Sequence, residues 1–136
     1  MHIIDDFKAA LYHSIRLLKP AGVLLINFPA RSGYDLKGAG RACVYHWFTP
    51  AGVEKALADL GMTKDDYELT TYGNFLSLTA YMAGIPVEEL TNRELDYEER
   101  DIPLLICAKV VKPLHWPAHL KLWGIGFWSE PLSWLL

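Results

Sequence analysis

"LLKPAGVLLINFPAR", residues 17–31, decides how the rest of the chain is read. Lys19 precedes Pro20, whose ring disfavours helical backbone at the residue before it, so a helix ends here. Pro20, Ala21 and Gly22 turn the chain, with Gly22 expected to carry any positive φ. Val23, Leu24, Leu25, Ile26, Asn27 and Phe28 then follow, nearly all apolar and without the alternation of a half-wet strand. Such a run implies a strand covered on both faces, as in a parallel sheet held between helices.

On the amino-terminal side, Asp5 or Asp6 can accept hydrogen bonds from the free amides of a first helical turn, and Phe7, Ala10, Leu11, Ile15 and Leu18 recur at helical spacing. On the other side a second helix starts at Thr49, a natural cap, with Pro50 at a position where its missing N–H has no partner to lose. Val53, Ala56, Leu57 and Leu60 form its apolar stripe, and Gly61 closes it. Residues 67–72 alternate enough to be a strand near an edge. Asn74 caps a third helix that ends at Gly84, with Phe75, Leu78, Tyr81 and Met82 expected to face inward. Residues 88–101 hold seven carboxylates and two arginines, and read as a solvated loop with one short helix opened by the Thr91/Glu94 pair. The last strand spans Ile102 to Val111, with Pro103 near its start, where a lost donor is tolerated. The order is helix, strand, helix, strand, helix, strand, with no internal repeat.

A chain of 136 residues fits one domain and can remove about two-thirds of its unfolded surface from water. Its net charge of −3 supplies no broad attraction for phosphate backbones, so nucleic acid is not an expected partner. Cys43 and Cys107 are too far apart for a metal knuckle and fit reduced thiols in a cytosolic protein. The chain opens on an amphipathic helix with no basic-then-apolar leader, so a cytoplasmic location is expected.

The blocks "HIIDDFKAALYHSIRLLKPAGVLLINFP", "HWFTPAGVEKALADLGM" and "DIPLLICAKVVKP" together resemble the carboxyl-terminal half of a class I S-adenosylmethionine-dependent methyltransferase. The resemblance covers residues 1–113 and leaves 114–136 as a Trp/Leu-rich tail. It implies an α/β, partial Rossmann-like fold: a three-stranded sheet with flanking helices, two parallel-type strands and an antiparallel closing strand running between them. It also implies S-adenosylmethionine as cofactor. The family grips that cofactor with a glycine-rich turn after its first strand and an acidic residue closing its second. Neither is present here; Gly38-Ala39-Gly40-Arg41-Ala42-Cys43 lacks the third glycine and does not lie between a buried strand and a helix. Of the family's cofactor-side positions, His2 and Ile3 remain. Ala21 stands where the family prefers glycine.

Ligands of open α/β sheets gather beyond the carboxyl ends of the strands, here from Pro29 onward. The connection from Pro29 to Phe48 is long and carries Arg31, Tyr34, Asp35, Lys37, Arg41, Tyr45, His46 and Trp47, a mixture suited to an anionic or glycan-like acceptor. Arg31, Tyr34, Tyr45 and Trp47 are candidate substrate contacts, and His46 a candidate base. The plainer alternative has His46 and Trp47 bracing the start of the Thr49 helix, His2 as a terminal residue and His13 on a polar helix face. No His-Glu-x-x-His pair or phosphate loop exists, and His115 and His119 are separated by Pro117, which spoils a helical metal pair. The tail holds four of the five tryptophans but is interrupted by Pro117, Gly124, Gly126 and Pro131, against a membrane span; it is expected to pack on the domain's own sheet, on a partner or at a membrane surface. Two functions follow. One is the acceptor-side portion of a methyltransferase, inactive alone. The other is a non-catalytic remnant that associates through the bare edge of strand 23–28, as a homodimer or with a chain supplying the missing strands.

Overall fold

The computed structural model describes residues 1–30 and 44–116. Helix α1 spans Phe7–Leu17, and Asp6 is its cap, accepting from the Ala9 amide at 2.9 Å. At its other end the Lys112 ammonium donates to the carbonyls of Arg16 and Leu18, satisfying acceptors that a helix terminus leaves open. Strand β1 spans Val23–Pro29, helix α2 Pro50–Asp59, strand β2 Tyr67–Tyr72 and helix α3 Phe75–Ala83. A short 3-10 turn at Val87–Glu89 and the single-turn helix α4, Asn92–Leu95, precede β3, Leu105–Val111. The Thr91/Glu94 pair closes reciprocally around α4, as its spacing implied.

The sheet order is β1-β3-β2, and both ladders are antiparallel. β3 therefore sits between β1 and β2, which run in the same direction without touching. The expectation of parallel-type strands is corrected here, because neither β1 nor β2 has a parallel partner among the described residues.

The second correction concerns coverage. Leu24, Ile26 and Phe28 of β1, Ile106, Ala108 and Val110 of β3, and Tyr67 and Leu69 of β2 share one face, which packs on Leu11, Tyr12 and Ile15 of α1, on Val53 and Leu57 of α2, and on Leu60 at its end. Each large side chain fully buried there contributes about 1.5–3 kcal/mol. Trp116, just past β3, completes this layer: it stacks tilted on Tyr12 at 5.3 Å and donates its indole N–H to the Leu60 carbonyl at the end of α2. Among the described residues the opposite face has no covering layer. Leu25 is 75% exposed and Val23 49%, so β1 is covered on one face only, although its sequence is apolar on both.

Two local expectations also change. Ala21, not Gly22, takes the positive φ, at 60°. Gly22 is needed for a different reason: a Cβ there would lie 2.8 Å from the Lys19 carbonyl oxygen. In α3 only Leu78 and Ala80 are buried, while Phe75, Tyr81 and Met82 face out, because one layer of the sheet's core reaches this helix from one side alone. Among the described residues no helix is long and apolar enough to cross a membrane.

Candidate functional site

β1 and β2 end side by side, since Pro29 and Tyr72 are both opposite Leu105. The chain leaving or entering these ends encloses a cleft of about 480 Å³. Its walls are Ala30 beyond β1, Trp47 to Pro50 at the start of α2, Phe75 and Leu78 at the start of α3, and Asp101 to Pro103 on the way into β3. Backbone bonds from Ala30 to Leu104 and from Leu104 to Tyr72 hold the three strands together at its base. The cleft thus lies where ligands of open α/β sheets gather.

Phe48 is the buried side of the cleft, edge-on to Phe28 at 5.0 Å and to Phe7 at 5.1 Å. Trp47, 56% exposed, and Phe75 present aromatic surface to the opening. Among the described residues of the wall, Asp101 is the ionisable one, and it makes no hydrogen bond or ion pair with another described residue. The two helix starts that meet here already have partners. Thr49 Oγ1 accepts from the Gly52 amide at 3.1 Å, Asn74 Oδ1 from Ser77 at 2.8 Å, and the Glu99 carboxylate from Phe75 at 2.7 Å. Their positive ends are used by the protein's own oxygens.

Asn74 is the buried hinge of this corner, 2% exposed. Beyond capping α3, its side-chain amide donates to the carbonyls of Glu94 at 2.7 Å and Tyr97 at 2.5 Å, pinning the acidic segment to the helix start. Gly73 before it has φ 93°, and a Cβ there would meet the Leu104 side chain at 2.8 Å. Only glycine allows β2's exit and β3's entry to approach so closely.

His46 faces away from the cleft wall, toward α1. Its Nε2 lies 2.7 Å from the Asp5 carbonyl, and its ring is edge-on to Phe7 at 4.8 Å. A carbonyl only accepts, so His46 Nε2 is the donor of this bond. The amides of Tyr45 and His46 both donate to the His2 carbonyl, at 2.9 and 3.3 Å. The structure therefore brings His2 next to Tyr45 and His46, from which the sequence separates it by more than forty positions. Burial, with the nearby chain terminus, holds the His2 imidazole below its usual range, and its Nδ1 is buried without a partner among the described residues. Ile3 is exposed. Arg31, Tyr34, Asp35, Lys37 and Arg41 lie outside the described residues, as does His119. Cys107 lies mid-strand on the open sheet face, where burial raises its thiol above the usual range, the opposite of an activated nucleophile. Among the described residues no cluster of three His, Cys, Asp or Glu side chains could hold a metal ion.

The sequence reading missed Asp101 and the outward face of Phe75. Asp101 was legible only as the last of a run of charges; its place on a cleft wall needs the neighbouring strand ends. An aromatic rim with one carboxylate can stack a flat ring or the apolar face of a sugar, and accept a hydrogen bond from its hydroxyl or amine.

No family model, no curated protein and no solved structure matches this chain.

Proposed function

We propose that this chain is the acceptor-side portion of a class I S-adenosylmethionine-dependent methyltransferase, whose cleft at the ends of β1 and β2 takes the methyl acceptor. The observation that carries this reading is topological. A closing strand lies antiparallel between two strands of common direction, after a helix that begins Phe-Thr-Pro, and the cleft opens at the carboxyl ends of those two strands.

The described residues do not fit the cofactor by themselves. The first turns of α2 and α3 are filled by Thr49, Asn74 and Glu99, and among the described residues no glycine-rich turn joins a strand to a helix. The groups that hold S-adenosylmethionine belong in this reading to polypeptide that pairs with the edge of β1 left unpaired among the described residues. The cofactor supplies the methyl group. This chain's part is to seat a glycan-like or aromatic acceptor between Trp47 and Phe75 and to keep it dry against Phe48. Asp101 then takes the proton from the acceptor's nucleophilic hydroxyl or amine. In this reading His46, bonded to the Asp5 carbonyl, braces the loop 44–48 against α1 and so supports Tyr45 and Trp47.

Calorimetry with S-adenosylhomocysteine tests the reading. The chain alone is expected to give no heat, and the chain joined to the polypeptide encoded in frame upstream of it is expected to bind, with methyl transfer lost in Asp101→Asn while cofactor binding is kept. Micromolar binding by the chain alone, or none by the joined form, overturns it.

One observation favours a second reading, a non-catalytic module that associates through β1. That strand has an unpaired edge among the described residues, with no charge or bulge to protect it, and it exposes Val23 and Leu25. Sedimentation velocity separates the two: a dimer dissolved by Leu25→Asp supports association, and a monomer removes it.

A further inference from the structure

We propose that the outer face of α3, together with the acidic segment pinned beside it, docks a basic amphipathic helix of another polypeptide. This surface is independent of the cleft and of its proposed chemistry. The helix Phe75–Ala83 carries no charged residue, and the domain's core uses only its Leu78 and Ala80. Leu76, Tyr81 and Met82 stay exposed, and Ile85 and Val87 just beyond the helix extend the apolar surface. Large apolar side chains exposed in this number on and just beyond one short helix mark a candidate interaction surface.

The charge around it selects the partner. Residues 88–101 hold seven carboxylates against two arginines, a net of −5 in a chain whose total is −3, so everything else sums to +2. The bonds from Asn74 to the carbonyls of Glu94 and Tyr97 bring that segment against the start of α3. Between them runs an open groove of about 720 Å³, floored by Leu76 and Tyr97 and edged by Arg93, Glu94 and Asp96. Tyr97 is 61% exposed, and none of the seven carboxylates is paired with a lysine or arginine among the described residues. An apolar floor in a segment of net −5, with one arginine on its rim, repels anionic lipid and other acidic surfaces. It matches a helix with one apolar stripe flanked by lysine or arginine.

The test is fluorescence anisotropy of a labelled Leu/Lys amphipathic peptide of about 18 residues titrated with the full chain, long enough to lay several turns in the groove. Saturable binding is expected, weakening about tenfold as salt rises through the range that screens surface charge. The double variant Leu76→Asp/Met82→Asp is expected to weaken binding at least about tenfold, and the charge reversal Glu88→Lys/Glu98→Lys by a similar factor, with far-ultraviolet circular dichroism unchanged. Leu25→Asp, on the open sheet face, is expected to leave binding unchanged. Equal binding of a Leu/Glu peptide, or of a scrambled Lys peptide without an apolar stripe, overturns the proposal. So does insensitivity to the two α3 substitutions, or a dimer of this chain that those substitutions dissolve.

Discussion

Ala21 and Gly22 divide between them two demands that one glycine is normally asked to meet. Ala21 carries the left-handed backbone, which costs an L residue about 1–2 kcal/mol, and Gly22 supplies the missing Cβ that lets the turn close on the Lys19 carbonyl. Ala21→Gly is expected to raise stability by about 0.5 kcal/mol, the relief of strain being partly offset by the greater freedom of glycine in the unfolded chain. Gly22→Ala is expected to lower it by about 1–2 kcal/mol, since a backbone oxygen cannot rotate away. Urea unfolding of both variants checks the order, and a less stable Ala21→Gly would contradict it. Sequence alone assigned the positive φ to Gly22 because that residue type tolerates it. The assignment reversed because the hydrogen bond from the Ala21 amide to the Lys112 carbonyl, across the sheet end, dictates the backbone at this turn.

At the scale of elements, the caps were readable and the faces were less so. Asp6, Thr49, Asn74 and Thr91 all cap the helices expected of them, because a cap depends on a side chain reaching an amide two or three residues on. What Asn74 does with its other end depends on a segment twenty residues away. Asn74→Ala is therefore expected to cost about 2–3 kcal/mol, more than the roughly 1 kcal/mol of an ordinary cap, because the carbonyls of Glu94 and Tyr97 lose their donor as well. Asn74→Asp keeps the capping oxygen and loses only the donor, so it should fall between wild type and alanine in the same unfolding measurement.

The α4 turn adds a pH dependence at this scale. Hydrogen bonds from the Thr91 amide and hydroxyl hold the Glu94 carboxyl below its usual range. A depressed folded value means that the carboxylate's contribution is complete above the unfolded value and is lost as pH falls through the folded one. The Thr91 amide resonance is accordingly expected to stay fixed from neutrality down to the usual glutamate range and to move only below it. A midpoint at or above that range in an NMR titration would remove the reciprocal cap.

For the molecule as a whole, Phe28 and Leu25 make the contrast plain. They lie three residues apart in one apolar strand, yet Phe28 is fully buried and Leu25 is 75% exposed. Phe28→Ala is expected to cost about 3–5 kcal/mol and Leu25→Ala less than about 0.5 kcal/mol, measured by chemical denaturation. A large loss for Leu25→Ala would mean that the open face is covered in solution. The amino-acid sequence by itself determined the order of the α-helices and strands and how most of the helices begin and end, because those features rest on contacts a few residues apart. The tertiary structure alone decided that one face of the sheet has no covering layer among the described residues, that His2 meets Tyr45 and His46, and that Asp101 stands on a cleft wall. Each of these joins residues far apart in the chain, and a local pattern of apolar and polar positions states only that a surface will be buried, not which partner arrives to bury it.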